Sequence, residues 1–174
     1  MSMFNATVPQ MQKMLRNLSA WIEKAIAHAE AKKFDPAVLL SARLAPDQYN
    51  FTRQVQAAAD AAKGAVARLT GNKPPVHPDT ETTIDELKAR LNTVIDYLDG
   101  FKPEDFDGAA DRWIDLPFLP GKRVSGRNFL NEMALPNFYF HVVTAYAILR
   151  HNGVELGKYD FIGSMQLEDI PSAS

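Results

Sequence analysis

Met133-Ala-Leu-Pro-Asn-Phe-Tyr-Phe-His-Val-Val-Thr-Ala-Tyr-Ala-Ile-Leu149 is the stretch on which the fold turns. No residue between Glu132 and Arg150 carries a formal charge at neutral pH, and nearly every helical face of the run is apolar or aromatic. A helix apolar all round must be buried all round. A membrane span needs roughly 20 uninterrupted apolar residues; this run is shorter and holds Pro136, Asn137, His141 and Thr144, so a span is rejected. Two arrangements stay open: the helix is central to a bundle, or one of its faces is covered by a second subunit.

Working outward, the helix containing this run is expected over about 125–151, ending at Asn152-Gly153, with Pro136 kinking or dividing it near Leu135. The tail beyond Gly157 is expected to be irregular and frayed at Ser174. Upstream, Phe4, Val8, Met11, Leu15, Leu18, Ile22, Ala25 and Ala29 recur at helical spacing and place a first helix over about 4–31. Pro46-Asp47 suits a helix opening, so a second helix is expected over 46–70, its face being Phe51, Val55, Ala58, Ala62, Ala65, Val66 and Leu69. The linker Gly71-Asn-Lys-Pro-Pro-Val-His-Pro-Asp79 cannot be helical, and His77 within it is expected to be solvated. A third helix is expected over 80–99, with Thr83 and Glu86 as a capping box and Ile84, Leu87, Leu91, Val94, Ile95 and Leu98 as its stripe. Residues 99–124 then form a long connection, partly structured as a small hairpin or cap around Leu119-Pro-Gly121. The fold class is therefore all-α, a four-helix bundle occupying 1–174 as one domain.

Composition supports this and narrows the function classes. The chain has 174 residues, 46% hydrophobic and 23% charged, with a net charge of -2. Its scattered basic residues lack the footprint of a nucleic-acid binder. The N-terminus shows no secretory pattern and there are no cysteines, which points to the cytoplasm and excludes disulfides, thiolate ligands and a cysteine nucleophile. Any metal would need His, Asp or Glu.

Asn137 and His141, four apart, share one helical face, which could point into the core. A histidine so placed can serve as metal ligand or general base; a core histidine satisfied by a neighbouring hydrogen bond is the plainer alternative. Asp47 and Gln54, seven apart, would share a face of the second helix and add polar groups, unless Asp47 only opens that helix. Tyr139 is a further ligand-binding candidate, although tyrosines seven apart such as Tyr139 and Tyr146 more often pack. Asp60 and Lys63 read as a solvated surface pair, and the helix of 125–151 as buried on all sides. Searches for metalloprotease, phosphate-loop, nucleophile-elbow and di-iron motifs find none.

The segment Ala134-Leu-Pro-Asn-Phe-Tyr-Phe-His-Val-Val-Thr-Ala-Tyr-Ala-Ile-Leu-Arg-His-Asn-Gly-Val154, with Leu156-Gly-Lys158 and Asp160-Phe161, resembles the signature of an uncharacterised bacterial family in the DinB-like superfamily. Ala42-Arg-Leu-Ala-Pro-Asp47 and Arg53-Gln-Val-Gln56 resemble its second-helix pattern, so the likeness covers most of the chain. The resemblance implies an up-down-down-up bundle, usually a homodimer. It also implies a divalent metal such as Zn or Ni, held in many relatives by three histidines: one on the second helix and an i, i+4 pair on the last. Here His141 matches one member of that pair, Asn137 stands at the other, and the second helix has no histidine. Three functions follow as expectations: a degenerate site binding a small molecule near Asn137 and His141, with Gln54, Asp47 and Tyr139; a metal-dependent, thiol-type transferase or hydrolase using His141; or a non-catalytic dimeric interaction protein.

Overall fold

The computed structural model describes residues 2–170, so the frayed end expected at Ser174 lies outside the described residues. The chain is mostly helical. Helix α1 spans Met3–Lys32, α2 Phe51–Thr70 and α3 Ile84–Asp99; α4 (Gly126–Asn128), a π-helical turn over Phe129–Ala134 and α5 (Leu135–His151) follow without a break, and α6 is Lys158–Ile162. None of these helices is long and apolar enough to cross a membrane.

Local chemistry explains most of the ends. Ser2 Oγ accepts from the Asn5 backbone N–H, and Asn50 Oδ1 from that of Arg53. Thr83 and Glu86 form the reciprocal capping box. Gly71 closes α2 at φ 78°, a left-handed conformation that only glycine adopts without strain. The opening of α2 corrects the sequence reading. Residues 45–48 form a turn, closed by the Gln48 N–H on Ala45 O, and the helix starts at Phe51, five residues after Pro46, because Asn50 supplies a side-chain acceptor to the helix whereas Pro46 and Asp47 do not.

Helices α1 and α2 each pack against both α3 and α5, with α2 against α5 the most extensive pairing. Ala58, Ala59, Ala62 and Ala65 are essentially inaccessible and let neighbouring backbones approach α2 closely. Met11, Leu15, Leu18, Leu91, Leu98, Phe138, Val142 and Ile148, all at 0% exposure, fill the space between.

Pro136 divides the last long helix as expected. The Leu135 N–H reaches back five residues to Leu130 O, and this widened turn relieves the clash a proline ring makes with the carbonyl four residues before it. Within the single chain the helix is not enclosed on every side, which corrects the arrangement in which the bundle alone buries it: Pro136, Asn137, Phe140 and Val143 face outward, with Phe140 55% and Val143 46% exposed. Apolar character alone does not distinguish a face packed inside the chain from one left open on its surface.

The long connection carries an antiparallel hairpin, β1 (Trp113–Asp115) with β2 (Arg123–Ser125). It is strapped down by Arg112, whose Nε donates to Leu69 O at 3.1 Å, and by the Gly126 and Arg127 N–H groups, which donate to Arg112 O and Ala110 O. Gly126 is obligatory, since a Cβ there would sit 1.9 Å from Ala109 O. The tail is not wholly irregular: α6 is anchored by Trp21, whose Nε1 donates to Asp160 O at 3.0 Å while its ring stacks on Phe161.

Candidate functional site

His141 and Gln54, which are 87 residues apart in sequence, meet where α5 crosses α2. Gln54 is 1% exposed and His141 is half-buried. The amide of Gln54 fixes which ring nitrogen faces it as a donor. Its Nε2 donates to Tyr49 O, so its Oε1 must face His141 Nδ1, at 2.8 Å. An amide oxygen only accepts, and therefore Nδ1 carries a proton; when the ring is neutral, Nε2 keeps its lone pair. Burial, then the positive charge of Arg53, hold His141 below its ordinary value of 6.5, so the ring is neutral at pH 7.

Aromatic rings flank the imidazole. Tyr49 lies nearly parallel to it with centroids 6.5 Å apart, and Phe140 meets it edge to face at 5.2 Å. Both are more than half exposed, so the site is an open shelf. Four surface grooves of about 250 to 830 Å³ lie elsewhere, and none of these four is lined by His141, Gln54 or Asn137.

The other candidates separate. Asn137 lies one turn before His141 on α5 but is exposed, which corrects the expectation that their shared face points into the core. Asp47 is exposed in the turn before α2 and shares no helical face with Gln54. Tyr139, two positions from His141 and so on the other side of α5, accepts from Gln10 Nε2 on α1. The three-histidine arrangement implied by the resemblance finds no counterpart. Gln54 stands on the second helix with its oxygen turned to a protonated ring nitrogen, and among the described residues no three His, Cys, Asp or Glu side chains gather as metal ligands. These residues do not fit an ion held in that way.

Beside the shelf lies a charged network that reading the sequence missed. Arg90 of α3, 4% exposed, bonds Asp60 at 2.8 Å, Asp79 at 2.9 Å and Glu81 at 2.9 Å, and donates to Pro78 O. Arg53 pairs with Asp79, donates to Gln56 and lies 5.4 Å from the Tyr49 ring centre, joining the network to the shelf. Burial opposes ionisation of Asp79 and Glu81, yet Arg53 and Arg90 hold Asp79, and Arg90 holds Glu81, below their ordinary ranges. Lys63, expected in a solvated pair with Asp60, does bind Asp60 at 2.7 Å but is 7% exposed. His77, expected to be solvated, is half-buried with Nδ1 3.0 Å from Lys63 Nζ. The signal that could have exposed this was the charge density of the linker, Asp79 and Glu81, set against Arg53, Lys63 and Arg90.

A family model described as "Domain of unknown function (DUF1993)" matches residues 3–162. A crystal structure described as a DinB family member protein from Shewanella denitrificans is 51% identical, covers 96% of this chain and 95% of its own, and superposes with a TM-score of 0.93. No curated protein matches the chain.

Proposed function

The chain belongs to the DUF1993 family, an uncharacterised DinB-like family, and on that premise we propose that it binds a small molecule on the shelf formed by Tyr49, Phe140 and His141. The observation that carries this reading is the Gln54 clamp, which orients a neutral imidazole with Nε2 as an acceptor between two exposed rings. The ligand class is a molecule with a flat or apolar body and a hydrogen-bond donor for Nε2, to which the exposed Asn137 amide can add a contact. Asp47 and Tyr139 stand outside this shelf. The fold it rests on is an up-down-down-up four-helix bundle, supported by the pairing of α1 and α2 with both α3 and α5. Absence of cysteine supports a cytoplasmic setting.

Metal analysis of purified protein beside His141→Ala, together with imidazole NMR during a small-molecule screen, tests the reading. The expected result is far less than one equivalent of Zn or Ni in both proteins, and ligand-induced shifts confined to His141 among the four histidines. One equivalent of metal that is lost in His141→Ala would overturn it in favour of a metal-dependent transferase or hydrolase.

A second reading has its own observation. Tyr49, Phe140 and Val143 are each between 46% and 55% exposed, which is unusual for such side chains on and beside one helix. On this reading the face pairs with a second copy in a homodimer. Phe140→Ser should then shift sedimentation from dimer to monomer, while a wild-type monomer at micromolar concentration removes the reading.

A further inference from the structure

The segment 72–82 is held in place in an unusual way. Among the described residues no backbone-to-backbone hydrogen bond ties it to the rest of the chain; its contacts run through side chains, the Pro78 carbonyl and, at its end, the Thr82 N–H, which donates to Glu86. Asp79 and Glu81 are clasped by Arg53, Gln56 and Arg90, and His77 rests on Lys63. We propose that this segment is an acid-labile strap, docked across α2 and α3 while His77 is neutral and released when His77 takes a proton.

The argument starts from donors and acceptors. An ammonium group only donates, so the 3.0 Å contact between Lys63 Nζ and His77 Nδ1 requires a lone pair on that nitrogen. Lys63 cannot turn away at no cost, because it is nearly enclosed and bound to Asp60. A proton on His77 therefore replaces a hydrogen bond by contact between two cations. The charged groups around His77 are Asp60 and Lys63 from α2, Glu86 and Arg90 from α3 and Glu81 from the strap, with Asp79 two residues along the strap. Glu86 is engaged in capping α3, and the remaining carboxylates, Asp60, Asp79 and Glu81, are already matched by Arg53, Lys63 and Arg90. An additional positive charge finds no free anion in the network. Burial first, then Lys63 and Arg90, hold His77 below 6.5, against the opposing pull of Asp60 and Glu81. A groove of about 250 Å³ lined by His77, Glu81, Arg90 and Thr93 gives solvent protons access.

The sign follows from linkage. The docked state disfavours the proton and the released state does not, so docking is fully stabilised above the ordinary value of 6.5 and weakens as pH falls below it. Release also frees Arg53 from Asp79, and Arg53 is the cation lying over Tyr49 at the shelf. Acid thus loosens the strap and the edge of the shelf together.

The chain has no cysteine and Val76 is 92% exposed, so Val76→Cys gives a single attachment point for a nitroxide label on the strap. The electron paramagnetic resonance spectrum is expected to be motionally restricted at about pH 7.5, with the mobile fraction rising at least about tenfold by about pH 5. Adding His77→Gln, which keeps an acceptor but cannot be protonated in this range, should remove the pH dependence. A pH-independent spectrum in the His77 protein, or the same transition with glutamine, would overturn the proposal. In unlabelled protein the His77 imidazole should titrate below about 6.5, and a midpoint at or above that value overturns it equally.

Discussion

Trp21→Ala is expected to destabilise the fold by about 3–5 kcal/mol, the usual cost of emptying an enclosed tryptophan site. At roughly 2–4 °C per kcal/mol for a chain of this size, the melting temperature falls by about 6 to 20 °C. The reason lies in what the indole joins. It is 1% exposed, stacks on Phe161 at 5.5 Å, meets Tyr146 edge to face at 5.3 Å and donates to Asp160 O. Helix α6 has no buried residue of its own, and besides Trp21 it is held by Asn17, which donates to Phe161 O, and by the exposed pair of Lys24 and Asp160. The variant should therefore lose the tail before the long helices melt. Thermal denaturation followed by far-ultraviolet circular dichroism measures the global effect, and cleavage at Lys158 under native conditions measures the local one. A melting temperature unchanged within a degree or two would show that the indole is not the anchor.

The long helices were legible because burial imposes a period on them: the stripes of α1 and α3 and the small residues of α2 are the residues that fill the core. Caps were legible only in part. Thr83 with Glu86 has a recognisable spacing, whereas Pro46-Asp47 offered a competing start that concealed Asn50. His141 stood out as a polar group within an apolar run, but its contact with Gln54 is a product of helix crossing and leaves no mark in local sequence. The same holds in reverse for Lys63 and Arg90. A charge on a helix normally signals solvent, and these two are enclosed because a proline-rich segment folds back over them with its own carboxylates. Which face of α5 stays open was equally hidden, since Phe138 and Phe140 differ in exposure from 0% to 55% while being the same residue type two positions apart.

Arg90→Met is expected to cost about 3 kcal/mol, near the lower bound for removing one partner of a buried ion pair. Methionine preserves much of the packing of the arginine stem, so the loss isolates the charge. Asp60 and Asp79 retain 37% side-chain exposure and can regain water, but Glu81 keeps only 11% and would be left with Gln56 as its donor. A comparison sets the scale: Lys88→Met breaks the pair with Glu23, whose side chain is 56% exposed, and should cost no more than about 1 kcal/mol. Urea denaturation of the two variants separates a buried cation from a surface one. Acid adds a second discrimination. Asp79 and Glu81 sit below their ordinary ranges, so the stability they confer is present above those ordinary values and is lost as pH falls through the lowered ones. With Arg90 gone the depression of Glu81 should largely vanish, and the acid-induced loss of stability should become shallower than in the wild type. Equal acid slopes in wild type and Arg90→Met would mean that the strap carboxylates draw their stabilisation from elsewhere, and the network would not be organised around Arg90.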